Sequence, residues 1–324
     1  MNNVHPLPPS LPPGGRFNLP DTDWIRFLQA TDANFVFLFG NKTVGKSVIL
    51  ASLIHTATVT GHAAGLSFIK TLDFLPHQYR DEQINNVIAA LRQESEIHWD
   101  QLACYFEWDA KHQTSTGFLP ARTDSGRPPL LIGGQAVPNR KGLKPRNLIF
   151  LETAGEDLAR LAGIGGALGT PIDVYFRARG LPMIFLLVVP WMDAAKEDEA
   201  VANFIDHVGS RNPQLRGTRF VLLLTKWDSN PRRGDIGHDL ARNEMPRTWQ
   251  RLRGGTDLVS EFSVGTVEMR ETREIDERGG FVKAPFLAEM DPTYAVRLWS
   301  SIHDSFSIKP LVPPLVSWWR RFRG

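Results

Sequence analysis

Short apolar runs without polar alternation recur along the chain and are separated by longer mixed segments. Such runs, rich in Phe, Val, Ile and Leu, are typical of strands that are covered on both faces of a sheet. The four predicted strands are residues 34–39 (NFVFLF), 147–151 (NLIFL), 183–189 (MIFLLVV) and 219–224 (RFVLLL). Two shorter apolar runs, residues 130–132 and 258–264, predict further strands.

Segments with apolar residues at helical spacing lie between these runs. The predicted helices are residues 43–60, 197–208, 238–252 and 294–306, the third despite Pro246 and the last just after Pro292. Strands that alternate with helices indicate a mainly parallel sheet with right-handed crossovers. The predicted fold class is therefore α/β, with three layers: a mainly parallel sheet and helices on both of its faces.

A long segment between the first predicted helix and the second predicted strand also shows roughly helical spacing, over residues 78–105. We therefore predict a helical insertion at about residues 61–112 within a single domain that spans residues 22–308. Packing of the insertion against the core is the favoured interpretation, and a partner-binding module is the alternative.

Both ends of the chain differ in composition from this domain. Residues 1–21 are rich in proline and lack periodicity, which predicts a disordered tail, either a spacer or a docking segment. Residues 309–324 form a basic, aromatic tail that ends in SWWRRFRG. Arginines beside aromatic residues suit weak peripheral contact with a membrane, although packing on the domain or on a partner is favoured.

Composition narrows the class of protein. The 324 residues include 42% hydrophobic and 22% charged residues, an ordinary soluble globular composition. A net charge of +2 is too balanced to indicate a nucleic-acid partner. The sequence has no signal-peptide pattern and no membrane-length apolar run, and its one cysteine, Cys104, fits a buried thiol in a reducing compartment. We therefore expect a soluble cytoplasmic protein.

The segment GNKTVGKS fits the phosphate-binding pattern G-x-x-x-x-G-K-S/T, follows a predicted strand and opens a predicted helix. Its glycines let backbone N–H groups wrap phosphates, and the helix N-terminus adds the positive end of a dipole. Lys46 would reach the terminal phosphates, and Ser47 would give its hydroxyl to Mg²⁺. The predicted nucleotide-binding residues here are Gly40, Asn41, Lys42, Thr43, Val44, Gly45, Lys46 and Ser47.

Lys42 is an unusual residue within this loop, because it is placed near the expected γ-phosphate. A solvated surface lysine is the favoured interpretation. The alternative is an extra cation that helps to neutralise the charge that develops during phosphoryl transfer.

The fourth predicted strand ends in TKWD, which comprises Thr225, Lys226, Trp227 and Asp228. Downstream of a phosphate loop, this motif resembles the Asn/Thr-Lys-x-Asp motif of the Ras-like P-loop GTPases, in the translation-factor-related class. The resemblance implies the P-loop NTPase fold and a guanine nucleotide. The Asp228 carboxylate would accept hydrogen bonds from guanine N1–H and the exocyclic amine, while Lys226 covers the base. Adenine presents the opposite pattern, so a carboxylate there rejects ATP.

The segment EFSVGTV resembles the fifth motif of the same family, in which a backbone N–H contacts guanine O6. Ser263, Val264 and Gly265 match that motif, although its usual lysine is missing. A strand end without a ligand is the alternative.

The family also has a switch threonine, which caps Mg²⁺ and the γ-phosphate just before a strand. Thr123 is the preferred match because the apolar run 130–132 follows it, and Thr114 and Thr116 are its rivals. The adjacent Arg122 is either a solvated arginine, which is favoured, or an intrinsic arginine finger.

The segment LETAGED follows the second predicted strand and resembles the phosphate-sensing loop of the family. Gly155 would offer an N–H to the γ-phosphate, and Glu152 stands where the family has an Asp that holds Mg²⁺ through a water. Glu156 replaces the residue that orients the attacking water, so we expect slow or partner-dependent hydrolysis. The catalytic candidates are Lys46, Thr123, Gly155 and Glu156, and the metal candidates are Ser47, Thr123 and Glu152.

These motifs occur in the family's order, and together they imply a GTP-binding protein that hydrolyses GTP with Mg²⁺. Its GTP- and GDP-bound conformations would be read by a protein effector or regulator. The insertion and Glu152 are more similar to the divergent GTPases of bacterial multi-gene systems, with the double-GTPase group as a candidate branch. A GTP-loaded scaffold with little turnover and an ATP-dependent P-loop enzyme are the alternatives.

Overall fold

The computed structural model describes residues 21–59, 65–75, 82–103, 108–109, 114–115, 130–153, 170–178, 180–211, 218–231, 236–252, 258–275 and 280–306. The helices within these ranges are α1 Asp21–Ala30, α2 Lys46–Val59, α3 Glu82–Ala103, α4 Thr170–Arg177, α5 Ala194–Arg211, α6 Gly237–Glu244, α7 Pro246–Arg251 and α8 Pro292–Ser305. The strands are β1 Asn34–Phe39, β2 Leu66–Lys70, β3 Trp108–Asp109, β4 Thr114–Ser115, β5 Leu130–Pro138, β6 Arg146–Glu152, β7 Met183–Pro190, β8 Thr218–Thr225, β9 Val259–Glu261, β10 Gly265–Ile275 and β11 Phe281–Met290.

Seven of these strands form one central sheet in the order β2-β5-β6-β1-β7-β8-β9. The five strands from β6 to β9 in that order are mutually parallel, whereas β5 runs antiparallel to both β2 and β6. Helices pack on both faces of the sheet. The chain therefore has the three-layer α/β architecture of the P-loop NTPase fold, as the sequence predicts.

The central strands lie at the predicted positions because they are buried on both faces. Phe35, Phe37 and Phe39 of β1 face one layer, formed by α1, α4 and α5. Val36 and Leu38 face the opposite layer, formed mainly by α2 and α8. The ring centroids of Phe37 and Phe185 stack 5.0 Å apart in the first layer. Burial on both faces explains why apolar runs without alternation mark these strands.

Two of the predicted helices differ from the observed ones for a local conformational reason. The first begins at Lys46 rather than at residue 43, because Thr43 has a φ of 63° and Gly45 a φ of 96°, outside the helical region. The helix predicted at residues 238–252 is divided into α6 and α7 at Met245, which has φ −126° and ψ 54°. Met245 precedes Pro246, and a residue before proline is disfavoured in the helical conformation.

The predicted helical insertion contains a strand as well as a helix. β2 pairs antiparallel with β5 and extends the central sheet by one strand. The insertion boundaries and the domain limits stay predictions, since residues 1–20, 61–64, 104–107, 110–113 and 307–324 lie outside the described residues, with Cys104 and both tails among them.

α3 covers the part of β5 that extends beyond its pairing with β2. The Ser95 hydroxyl accepts a hydrogen bond of 3.0 Å from the Gly133 N–H, and Trp99 Nε1 donates one of 3.0 Å to the Gly133 carbonyl. His98 Nδ1 accepts a hydrogen bond of 2.9 Å from the N–H of Leu131. Side chains of a helix thus satisfy backbone groups that would otherwise form an open sheet edge.

A two-stranded hairpin, β10–β11, stands between β9 and α8 and pairs with itself rather than with the central sheet. The hydrophobic pattern of the sequence does not predict this hairpin, and the strand predicted at residues 258–264 is reduced to Val259–Glu261. Most of its described side chains are exposed, Met269 and Phe281 among them. The root of the hairpin lies beside the ends of β8 and β9.

The predicted motifs all follow parallel strands, so they converge at one edge of the sheet. Ligands of open α/β sheets bind at the carboxyl ends of the strands. Among the described helices, none is long and apolar enough to span a membrane.

Candidate nucleotide-binding site

The loop GNKTVGKS connects β1 to α2, and its conformation depends on particular residues. Gly40 lies against the backbone carbonyl of Val188 in β7, where an added Cβ would collide. Thr43 and Gly45 both have positive φ, so the chain turns sharply before α2 begins. The Nζ of Lys46 donates hydrogen bonds to the carbonyls of Gly40 at 2.7 Å and Asn41 at 2.9 Å. Lys46 is therefore folded back across its own loop, as a lysine that closes a phosphate cradle would be.

The remaining loop residues divide between buried and exposed positions. Val44 and Ser47 are buried, whereas Lys42 and Thr43 are exposed on the outer side of the loop. Exposure of Lys42 is compatible with both interpretations of that residue. The first turn of α2 starts at Lys46, which places the positive end of the helix dipole at the loop.

A hydroxyl and a carboxylate meet where the metal is predicted. The Ser47 hydroxyl donates a hydrogen bond of 2.8 Å to Oε1 of Glu152, at the end of β6. Burial raises the pKa of the Glu152 carboxyl, and the Ser47 hydrogen bond and the positive charge of Lys46 lower it by less. Oε2 of Glu152 is buried and has no hydrogen-bond partner among the described residues.

This pair fits a Mg²⁺ ion. Mg²⁺ prefers oxygen ligands and keeps several waters, with one or two protein groups and phosphate oxygens completing its shell. The hydroxyl of Ser47 and the carboxylate of Glu152 supply the oxygen donors, and the orphaned Oε2 would find a partner in a metal-bound water. No cluster of three His, Cys, Asp or Glu suited to a metal occurs in the described part of the chain.

The TKWD motif is joined to the phosphate loop by a direct contact. Thr225 Oγ1, at the end of β8, donates a hydrogen bond of 3.1 Å to the carbonyl of Val44. Lys226 follows with a φ of 56°, a left-handed conformation that is uncommon for a residue with a side chain. Trp227 is buried in the core and anchors the turn, which leaves the half-buried Asp228 at the sheet edge. The two motifs are thus held in one rigid frame.

Asp228 also contacts the segment that resembles the fifth motif. The Ser263 hydroxyl donates a hydrogen bond of 2.9 Å to Oδ1 of Asp228. The N–H of Gly265 donates to the Ser263 hydroxyl at 3.1 Å, and the N–H of Asp291 donates to the Val264 carbonyl at 3.0 Å. These bonds orient the Asp228 carboxylate before any ligand arrives. The missing lysine of the motif therefore does not prevent the segment from reaching the carboxylate.

A cavity of about 360 Å³ opens beside Asp228, within the size range of small-molecule sites. It is lined by Trp227, Asp228, Ser263, Gly265, Thr266, Glu289, Met290, Asp291 and Tyr294. More than half of these residues come from the hairpin and the start of α8, and five of them were not predicted from the sequence: Thr266, Glu289, Met290, Asp291 and Tyr294. A signal was present for Asp291, because Asp before Pro292 is a typical start of a helix, and its carboxylate accepts a hydrogen bond of 2.9 Å from the Thr293 N–H.

Several predicted site residues lie outside the described residues. They are Thr116, Arg122, Thr123, Gly155 and Glu156. Thr114, a rival for the switch threonine, is the first residue of β4. The roles predicted for all of these residues, and for the loop and base-motif residues above, stay predictions.

The similarity of the chain to known proteins is distant. No protein-family model matches it, and no curated protein sequence matches it. Among solved structures it is similar to Toc33 from Arabidopsis thaliana in complex with GDP and Mg²⁺, with 10% sequence identity and a TM-score of 0.34 over 91% of this chain and 96% of that chain.

Proposed function

We propose that the chain binds GTP and GDP with Mg²⁺, hydrolyses GTP and changes conformation to signal to a protein partner. The observation that carries the proposal is the hydrogen bond from Ser263 to Asp228 at the cavity. Thr225, of the same TKWD motif as Asp228, is hydrogen-bonded to the phosphate loop. The Asp228 carboxylate, proposed to bind the base, and the loop proposed to bind the phosphates thus lie at the same edge of the sheet.

The chemistry of Asp228 supports guanine over adenine. A carboxylate accepts hydrogen bonds and donates none, so it suits the N1–H and the exocyclic amine of guanine. Adenine presents an acceptor at N1. It would leave both N1 and the Asp228 carboxylate without a donor in a half-enclosed cavity, which is costly. The Ser263 hydroxyl donates to Oδ1 and so fixes the orientation of the carboxylate.

Lys46, Ser47 and Glu152 support phosphoryl chemistry. Lys46 is placed to neutralise the terminal phosphates, and the N–H groups at the start of α2 are placed to bind their oxygens. Mg²⁺ would supply the remaining neutralisation of charge on the transferring phosphoryl group. Ser47 and Glu152 are the groups that would hold it, directly and through water respectively.

The sheet register supports a switch at the same edge. Leu130 at the start of β5 pairs with Glu152 at the end of β6. The segment before β5, which contains Thr123, and the segment after β6, which contains Gly155, therefore both leave the sheet beside the metal-binding pair. A γ-phosphate at that position would order both segments, and a protein partner would read that order. The expected cytoplasmic location is part of the same proposal.

Titration calorimetry with GDP, GTP, ADP and ATP, each with Mg²⁺, tests the proposal. We expect binding of both guanine nucleotides and at least a hundredfold preference over the adenine nucleotides. Preference for ATP would indicate an ATP-dependent enzyme instead, and the absence of all binding would refute the nucleotide site.

Single-turnover hydrolysis of GTP, with and without cell extract, then separates an enzyme from a scaffold. We expect slow hydrolysis that extract accelerates, because a Glu stands at position 156 where the family has a water-orienting residue. Tight GTP binding with no turnover under either condition would favour the scaffold.

A further inference from the structure

The second residue of the phosphate loop is held by a residue from a different element. Nδ2 of Asn41 donates a hydrogen bond to Oε2 of Glu197, which lies in the first turn of α5. Glu197 is 8% exposed, so its carboxylate is largely removed from water. No motif in the sequence points to this residue.

Asn41 is thereby fixed at two points. Its side chain is held by Glu197, and its backbone carbonyl accepts the 2.9 Å hydrogen bond from Lys46. Lys46 is itself 5% exposed and also bonds to Gly40. The position of the Asn41 backbone therefore decides where the ammonium group of Lys46 is held.

We propose that Glu197 is a positioning residue of the phosphate site, which acts through Asn41 to fix the loop backbone that Lys46 contacts. The inference rests on the proposed nucleotide binding and extends it to a residue on α5. Glu197 is not among the residues that line the cavity beside Asp228. Its effect is expected in the part of the affinity that comes from the phosphates.

The carboxylate of Glu197 is buried close to the proposed phosphate site. Burial of a charge costs free energy unless the charge is hydrogen-bonded. Two features offset that cost: the amide of Asn41 donates to Glu197, and the first turn of α5 presents the positive end of a helix dipole. A direct ion pair between Glu197 and Lys46 would compete with the phosphates for the lysine. The bond that Glu197 accepts comes instead from the neutral amide of Asn41, whose backbone carbonyl accepts from Lys46.

The anchor is itself rigid, which a positioning residue requires. The next residue, Asp198, accepts hydrogen bonds from the N–H groups of Arg247 at 3.0 Å and Thr248 at 2.8 Å, at the start of α7. The first turn of α5 is therefore held on one side by α7 while Glu197 reaches the phosphate loop on the other. The chain of contacts from α7 to Lys46 is continuous and largely buried.

The test compares binding of GTP and inosine triphosphate to four proteins: wild type, Glu197→Ala, Asn41→Ala and the double variant. The two nucleotides share their phosphates and differ by the 2-amino group. We expect each single variant to bind both nucleotides about tenfold more weakly. The GTP-to-inosine-triphosphate ratio should stay as in wild type. The double variant should bind no more weakly than either single one, because Glu197 acts through Asn41.

Glu199→Ala is the matched control, because Glu199 is an exposed residue of the same turn whose carboxylate pairs with Arg247 at the surface at 3.0 Å. It should bind both nucleotides as wild type does. Thermal unfolding of each variant, measured alongside, shows whether it is folded. If Glu197→Ala unfolds, the isosteric Glu197→Gln takes its place, with an expected loss of about threefold that disappears in the Asn41→Ala background.

Wild-type affinity in Glu197→Ala, or losses that multiply in the double variant, would overturn the inference. A changed GTP-to-inosine-triphosphate ratio would also overturn it, since the effect would then extend to the base. These outcomes differ from failure of the proposed function, in which wild type itself does not bind GTP. A wild type that prefers ATP would refute the guanine proposal, and the same variants measured with ATP would still decide the role of Glu197.

Discussion

The hydroxyl of Ser47 and the carboxylate of Glu152 are joined by a hydrogen bond of 2.8 Å, although they lie 105 residues apart in the chain. One stands at the start of α2 and the other at the end of β6. A Glu at this position thus reaches the same hydroxyl that a shorter Asp would be expected to reach. Hydroxyl and carboxylate oxygens together suit Mg²⁺, so the extra methylene of Glu152 is compatible with the proposed metal site.

Glu152 should make the stability of the metal-free protein depend on pH. Burial raises the pKa of its carboxyl, so the folded protein holds this proton more tightly than the unfolded chain does. The resulting stabilisation is complete below the ordinary pKa of a glutamate and is lost as pH rises through the raised value. In Glu152→Gln that loss disappears, and at pH 8 we expect this variant to be about 1 kcal/mol more stable than wild type.

Urea unfolding in EDTA at several pH values between about 4 and 8 measures this difference. Mg²⁺ with GDP should reverse the order at pH 8, because the ionised carboxylate then gains a partner that Gln cannot replace. Parallel stability profiles for the two proteins without metal would contradict the expectation.

Asp228→Asn should change the base preference of the site from guanine towards xanthine. The amide offers one acceptor and one donor where the carboxylate offers only acceptors, so it faces the guanine amine with a donor. We expect the affinity for GDP to fall by about a hundredfold and the affinity for xanthosine diphosphate, which has a carbonyl in place of that amine, to rise. Competition binding with both nucleotides measures the exchange. Unchanged preference would show that Asp228 does not read the base.

Gly265→Ala should disrupt the root of the hairpin. Gly265 has a φ of 133°, and an added Cβ would collide with the backbone carbonyl of Glu289 and lie 2.8 Å from the N–H nitrogen of Asp291. We expect a loss of about 2–5 kcal/mol in the free energy of unfolding, from backbone strain and overpacking together. Gly142→Ala is the matched control: Gly142 has a φ of 86° and open space around it, so strain alone should cost about 1–2 kcal/mol. Equal losses at the two positions would argue against a close approach at Gly265.

Tyr294→Ala should weaken nucleotide binding through the base. Tyr294 lines the cavity beside Asp228, and burial and then the charge of Asp291 raise the pKa of its phenol. Removal of the ring opens the cavity to water, and we expect the affinity for GDP to fall about tenfold. Tyr294→Phe keeps the ring and should lose no more than about threefold. Equal affinities for GDP in wild type and Tyr294→Ala, by calorimetry, would remove this residue from the base site.

The sequence predicts the central strands well because they are buried on both faces, and burial leaves a continuous apolar run. The hairpin gives no such signal. β10 reads GTVEMRETREI, with charges at five of its eleven positions, and β11 contains Pro285. The hairpin is held by contacts such as the guanidinium of Arg270, 3.9 Å from the centre of the Phe286 ring, which pair residues that are distant along the chain.

The residues of the candidate site also divide into those that the sequence predicts and those that it does not. Residues that bind through local backbone shape, such as the phosphate loop, have a fixed spacing and are visible in the sequence. Glu197, Glu289 and Tyr294 approach the site from elements that the fold brings together. Their spacing from the motifs carries no information, so the structure is needed to place them.

The cover that α3 places over β5 has a consequence for how the chain can be shortened. Ser95, His98 and Trp99 occupy the backbone groups of Leu131 and Gly133, in a stretch of β5 that extends past its pairing with β2. Without the helix, that stretch would be an exposed edge strand whose unpaired backbone groups could pair with strands of other molecules. A variant from which α3 is deleted would therefore be expected to aggregate. Size-exclusion chromatography of this variant would show the aggregates.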